Sequence, residues 1–182
     1  AFAMDHAGNV LAELQSDQGM SALSPAEFEP TLKKLLSDWS LPCPCTVVAC
    51  GMLGARQGWQ EAPYRNTPCT AEATSPVRVK TVDSNLNVWI IPGVKQLNPA
   101  DVMRGEETQV SGFLALNPDW DGVICLPGTH SKWVHVSAGE IVSFRTFMTG
   151  ELFEAISKHT ILRHSLTSTD TDGPAFSEAV SE

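Results

Sequence analysis

Three short stretches carry side chains whose types and spacing could do chemistry. The segment ICLPGTHSKWVHV, residues 124–136, reads as a strand, a tight turn and a second strand. Hairpin turns ordinarily favour Asn-Gly or Asp-Gly, yet this one offers Gly128, Thr129, His130, Ser131 and Lys132 in a row. Backbone N–H groups of a Gly-containing turn, two hydroxyls and an ammonium are suited to holding an anion. Lys132 contributes only if its place in the following strand does not turn it away. A tight hairpin whose polar residues simply face water is the competing reading.

The second stretch is DVMRGEETQVSGFLAL, where the spacing predicts a helix from Asp101 to Leu116. On a 3.6-residue wheel Val102, Met103, Val110, Phe113 and Leu114 share a face. Glu106 falls in its middle and Glu107 at its edge, while Arg104 points the other way. A carboxylate on an apolar stripe is costly unless paired or used, and burial raises its pKa toward values useful to a general base. A salt-bridged structural glutamate fits the same pattern, and Gly105 puts the start of the helix in question. In the third stretch, CGMLGARQGWQEAPY, Arg56, Gln57, Trp59 and Glu61 could offer a planar cation for a carboxylate, amide and carboxylate partners for hydroxyls, and an apolar wall for a sugar carbon face. A surface loop with an anchored tryptophan reads equally well.

The elements that must position these groups follow from periodicity and turn chemistry. AFAMDHAGNVLAEL predicts a hairpin turning at Asp5 to Asn9. Ser24, Pro25 and Glu27 form a helix start, followed by an apolar stripe of Phe28, Leu32, Leu35 and Leu36. CTVVACGML reads as a strand covered on both faces, Gly54 to Pro76 as loop, and NVWIIPG as a buried strand. In TFMTGELFEAISKHTIL, Thr149 is the expected N-cap of a helix with Glu151 in its first turn. GPAFSEAVSE reads as the beginning of a further helix. A hairpin followed by alternating helices and strands predicts an α/β fold with a mixed sheet.

Composition narrows the functions open to such a fold. Among 182 residues, 42% are apolar and 18% charged, which predicts a packed core. The net charge of −9 argues against a nucleic-acid partner, which usually needs a basic stripe, since the 12 Lys and Arg are scattered. No run approaches the roughly 20 apolar residues of a membrane span, so no membrane partner and a cytoplasmic location are expected. Five cysteines, Cys43, Cys45, Cys50, Cys69 and Cys125, lack CxxC spacing and suit a reducing compartment. Cys43, Cys45 and Cys69 could form a zinc site, which would make a zinc hydrolase a further possibility. Both ends suggest a piece of a larger protein.

The motifs CGMLGARQGWQEAPY, DVMRGEETQ, LPGTHSKWV and TFMTGELF, in this order and at these intervals, resemble the 2-dehydro-3-deoxygalactonokinase family, sugar-acid kinases of the actin-like ATPase superfamily. The resemblance runs through nearly the whole chain. It implies ribonuclease-H-like halves with a mixed sheet and flanking helices. Residues 1–116 would be the sugar-acid-binding domain and 117–182 the start of an ATP-binding domain. It further implies ATP and Mg2+ as cofactors, a sugar acid and ATP as partners, and a possible homo-oligomer. The γ-phosphoryl group would go to the 6-hydroxyl of 2-dehydro-3-deoxy-D-galactonate.

In related kinases such as glycerol kinase a Gly-Asp-Gln segment opening a helix carries the base, and a later Gly-Thr-Gly hairpin contacts phosphate. That pattern implies Gly105-Glu106 at the base and Gly128-Thr129-His130 at the phosphate. Glutamate in place of aspartate lengthens the reach and leaves Glu107 and Asp101 as rival bases. Arg56 is assigned to the substrate carboxylate from its chemistry. The family's opening Asp-x-Gly phosphate motif and its adenosine-binding glycine motif would lie outside this chain, so catalysis is expected of the parent enzyme only. The alternative is a non-catalytic sugar-acid-binding module or regulator of the same fold.

Overall fold

A computed structural model describes residues 1–19, 22–165 and 173–181. Strands β1 (Phe2–Met4) and β2 (Val10–Glu13) form the expected antiparallel hairpin. Its turn is held by Asp5, whose Oδ1 accepts from the N–H groups of Ala7 and Asn9 at 2.9 Å each. At the next helix the Glu27 carboxylate accepts from the Ser24 N–H and hydroxyl, and the chain then runs through α1 (Phe28–Leu36). Phe28 is buried and Leu32, Leu35 and Leu36 are half-buried, as their periodicity predicts.

Strand β3 (Cys45–Ala49) departs from expectation. Its residues alternate between half-buried and exposed, with Val48 64% exposed, because β3 is an edge strand bonded only to a parallel β7 (Leu86–Ile90). An all-apolar run here covers one face and not two. Between these strands lie the two-residue strands β4 (Arg65–Asn66), β5 (Cys69–Thr70) and β6 (Val77–Arg78). Ala62, Val79, Val88 and Ile90 make the core of this part.

The segment expected to be one helix from Asp101 is two elements. Strands β8 (Val94–Leu97) and β9 (Ala100–Met103) pair antiparallel, and α2 runs only from Glu106 to Leu116. Gly105 makes the break, with φ of 113°, a region costly for any residue with a Cβ. A four-stranded antiparallel sheet follows in the order β10 (Gly122–Leu126), β11 (Ser131–Ser137), β12 (Glu140–Phe147), β5. Val134, Val136, Ile141 and Phe144 point from it into a second core that also takes Val94, Met103, Val110 and Leu114. That core therefore draws on residues from both sides of position 116. Helices α3 (Thr149–His159) and α4 (Gly173–Ser181) complete the described chain. Glu182, at the end of the segment expected to be helical, lies outside the described residues. Among those described, no helix is long and apolar enough to cross a membrane. The architecture is mixed α/β, with several small sheets and few helices.

Candidate active site

All three chemistry-bearing stretches reach one cavity, the third only through Met52 and Tyr64 near its ends. A cavity of about 550 Å³ is lined by Glu106 and Gln109 from α2 and Val102, Met103 and Arg104 at the end of β9. Its other walls are Met52, Tyr64, Lys132 and the whole turn from Leu126 to His130. Ligand pockets commonly fall between roughly 300 and 1,000 Å³, so the volume suits a small organic acid with room beside it.

The turn is built between β10 and β11, whose pairing runs in register from Gly122 opposite Val136 to Leu126 opposite Lys132. Gly128 lies outside the positive-φ region, so the turn is not an alternating nest of that kind. The hairpin is instead clamped to α3. The carbonyl of Gly128 accepts from Gly150 N–H at 3.3 Å and from Thr149 Oγ1 at 3.2 Å, and that of Thr129 accepts from Glu151 N–H at 3.0 Å. Ser131 Oγ contacts Thr149 Oγ1 and accepts from Gly128 N–H at 3.3 Å, while His130 pairs with Glu151. Thr149 is thus not the N-cap; Met148 holds that position, and the first N–H groups of α3 bond hairpin carbonyls. Gly150 permits this approach, since a Cβ there would stand 2.8 Å from Gly128 O and 2.9 Å from Thr129 Cα.

With the Gly128 and Thr129 carbonyls turned to α3, the N–H groups of Thr129 and His130 take no partner among the described residues, and both residues line the cavity. Lys132 points inward and not away. It is 5% exposed, and its Nζ donates to Val102 O at 2.8 Å and to Thr146 Oγ1 at 2.7 Å. Thr146 in turn donates its hydroxyl to Asp101 Oδ1 at 2.7 Å and its N–H to Asp101 Oδ2 at 2.8 Å. Asp101 is thereby occupied in tying β9 to β12 and fixing Lys132 through one hydroxyl.

The two glutamates exchange the surroundings their spacing suggested. Glu106 is half-buried and lines the cavity, one oxygen accepting from Arg104 N–H at 3.0 Å. Glu107 is the buried one, 1% exposed on the face with Val110 and Leu114, because Val102 and Met103, which helped define the expected apolar face, belong to strand β9 and not to the helix. Burial pushes the Glu107 carboxyl above the ordinary glutamate range, opposed by hydrogen bonds from Gly105 N–H at 2.7 Å and Thr108 Oγ1 at 3.2 Å. Glu107 does not line the cavity.

The four side chains singled out in the third stretch lie away from the cavity, although Met52 and Tyr64 of the same stretch line it. Bonds from Gly58 N–H to Ala55 O, Trp59 N–H to Leu53 O and Ala62 N–H to Gly54 O curl residues 51–62 into a compact loop. Trp59 stacks on Phe28 with ring centroids 5.9 Å apart and lines an apolar groove beside α1. Arg56, Gln57 and Glu61 are exposed, and none of the four lines the cavity. The anchored-tryptophan reading describes this loop.

Arg104 and Tyr64 line the cavity without having been singled out by spacing. The available signal was adjacency, since Arg104 immediately precedes Gly105-Glu106. Among the described residues no three His, Cys, Asp or Glu side chains are grouped to hold a metal ion.

Comparison with known proteins agrees with the motif reading. The family model for 2-keto-3-deoxy-galactonokinase matches residues 1–182. A protein of Rhizobium meliloti (strain 1021) named "Probable 2-dehydro-3-deoxygalactonokinase" is 41% identical over 179 residues, covering 96% of this chain and 58% of its own length. The 2-dehydro-3-deoxygalactonokinase of Escherichia coli (strain K12) is 35% identical over 168 residues, covering 91% of this chain and 56% of its own length. A crystal structure from Sinorhizobium meliloti under the same enzyme name superposes with a TM-score of 0.87 at 40% identity, over 99% of this chain and 60% of that one. The chain thus spans somewhat over half the length of the relatives it matches.

Proposed function

This chain belongs to the 2-keto-3-deoxy-galactonokinase family, and from that premise we propose that the full-length protein is a sugar-acid kinase. It transfers the γ-phosphoryl group of ATP to the 6-hydroxyl of 2-dehydro-3-deoxy-D-galactonate. The observation that carries the reading is the convergence of Glu106 with the turn Gly128-Thr129-His130 on one cavity. We assign the chain to two ribonuclease-H-like units, residues 1–116 and the start of a second at 117–182. Because α2 shares a core with β10 to β12, it serves as the joint between them.

The donor set fits phosphate. Open space surrounds Gly128, where a Cβ would meet only His130 O at 4.0 Å, and the Thr129 and His130 N–H groups and the Lys132 ammonium adjoin it. Mg2+ usually keeps several waters and is held largely by substrate phosphates, so it would arrive with its nucleotide at this turn and leave the free oxygen of Glu106 to act as base. ATP with Mg2+ supplies the phosphoryl group and neutralises its charge. The chain's own part is to orient and to take a proton. Glu106 accepts the proton released by the attacking hydroxyl as its oxygen bonds to phosphorus and the bridging bond breaks. Thr129, His130 and Lys132 hold the phosphate oxygens against that attack. Phosphoryl transfer depends mainly on such positioning and charge stabilisation.

Glu106→Gln should lower turnover of the full-length protein by about two to four orders of magnitude, the range for loss of a general base, with little change in substrate binding. Turnover at the wild-type rate would overturn the assignment of the base. ATP consumption by the wild-type protein, with this acid and its gluconate-derived epimer assayed side by side, tests the reaction itself. Binding of the acid without any ATP consumption would select the non-catalytic module.

A further inference from the structure

The cavity contains more positive charge than its walls neutralise. Arg104 and Lys132 both line it, and neither forms a salt bridge among the described residues. Lys132 sits beside the turn and is assigned above to phosphate. Arg104 lines the same cavity, as do Tyr64 and Met52.

How Arg104 is held suggests its use. Its guanidinium lies 4.1 Å from the centre of the Tyr64 ring, Nη2 donates to Ala62 O at 2.9 Å, and Nε donates weakly to Tyr64 Oη at 3.4 Å. Nη1 has no hydrogen-bond partner among the described residues and is closed from solvent beside Gly54, so a ligand oxygen reaches it only when that side is uncovered. Of the five N–H donors of a guanidinium, two are engaged. The group is therefore fixed as a plane, stripped of water at one nitrogen, and given no carboxylate. A planar, preorganised cation loses little freedom when it accepts a planar anion in two-point fashion. Arg65 also has unpaired nitrogens, but its Nη1 serves Thr70 O and Glu72 O and it does not line the cavity.

Geometry supplies the second half of the argument. The backbone N–H of Arg104 holds Glu106, while its guanidinium reaches back to Ala62 and Gly54, a full side-chain length away. A six-carbon sugar acid has its carboxylate at one end and its reacting hydroxyl at the other. Resting on the kinase reading above, we propose that Arg104, stacked on Tyr64, binds the carboxylate of the sugar acid and makes the site selective for acids over neutral sugars. The role assigned to Arg56 from its chemistry passes to Arg104.

The test compares 2-dehydro-3-deoxy-galactonate with its uncharged C1 amide on the full-length protein, by steady-state kinetics and by calorimetry without ATP. The wild-type protein should prefer the acid by about 10²-fold, the scale of losing a charge-assisted contact. Arg104→Gln should raise the KM for the acid by about the same factor and bind acid and amide alike, with the KM for ATP unchanged. Arg104→Lys keeps the charge without the fork and should fall between. Retention of full acid preference in either variant, or its absence in the wild type, would overturn the assignment; should Arg104→Gln not fold, Arg104→Lys and the wild-type comparison decide it. Failure of the wild type to phosphorylate the acid while still preferring it to the amide would count against the kinase reading and not against Arg104.

Discussion

At the scale of single residues, the two adjacent glutamates divide the work by surroundings alone. Glu106 faces the cavity, whereas Glu107 is shut into the core beside Val110 and Leu114. Burial raises the Glu107 pKa, opposed by bonds from Gly105 and Thr108. The folded protein therefore binds a proton here more tightly than the unfolded chain does. Stability attributable to Glu107 is greatest below the ordinary glutamate pKa and falls as the pH rises through that value toward the raised one. Urea midpoints measured across the acid and neutral range should show this decline, and Glu107→Gln should flatten it. An unchanged slope in that variant would assign the decline to another group. The presence of a carboxylate on an apolar face was legible in the sequence; which of the two it is was not. That depended on where the helix begins, because counting the strand residues Val102 and Met103 as helical shifts the centre of the apolar face from Glu107 toward Glu106. The position of Arg104 was hidden for the same reason, since it lies in the bend between β9 and α2 and not on the helix whose wheel it was drawn on.

Among the elements, the hairpins and the helix starts were legible because each has local chemistry. Asp5 satisfies its own turn, and Ser24 and Glu27 reach one another across three residues. The strand β9 was hidden by apolar residues that fit both periods, although Gly105 marked the break. The covering of β3 was hidden because pairing partners are a tertiary fact. The partner of the hairpin 127–130 was likewise nonlocal, and it explains the otherwise odd Thr149-Gly150 pair. Gly150→Ala would place a Cβ within 3 Å of backbone at Gly128 and Thr129. Backbone cannot yield as a flexible side chain does, so the variant should lose about 1–3 kcal/mol, the usual cost of overpacking. In the full-length protein it should also raise the KM for ATP more than that for the sugar acid. Thermal melts and paired kinetics check both, and equal effects on the two constants would mean that the clamp does not position the phosphate side.

For the whole molecule, the shared core decides what unfolds together. Phe144 is 1% exposed and packs in the cluster that includes Met103, Val110 and Val134. Phe144→Ala should cost about 3–5 kcal/mol, the range for removing a buried aromatic ring. Hydrogen exchange should then accelerate in α2 and in β10 to β12 alike. Acceleration confined to β10 to β12 would mean that α2 belongs energetically with the first 100 residues. The mixed α/β class was legible from the alternation of patterns, but this division of the core was not. Side-chain bridges between distant strands, such as Gln96 Oε1 accepting from Phe144 N–H at 2.9 Å, leave no periodic trace in the sequence. The attachment of the hairpin to α3 has a mechanical consequence at this scale. Turn and helix move as one lever, with its fulcrum at Gly150 and an arm of 11 residues, about 16 Å at the rise of an α-helix. A small displacement of the turn proposed to hold phosphate should thus be carried to Lys158 and His159, so a spectroscopic label at that far end is expected to report on a loop it never touches.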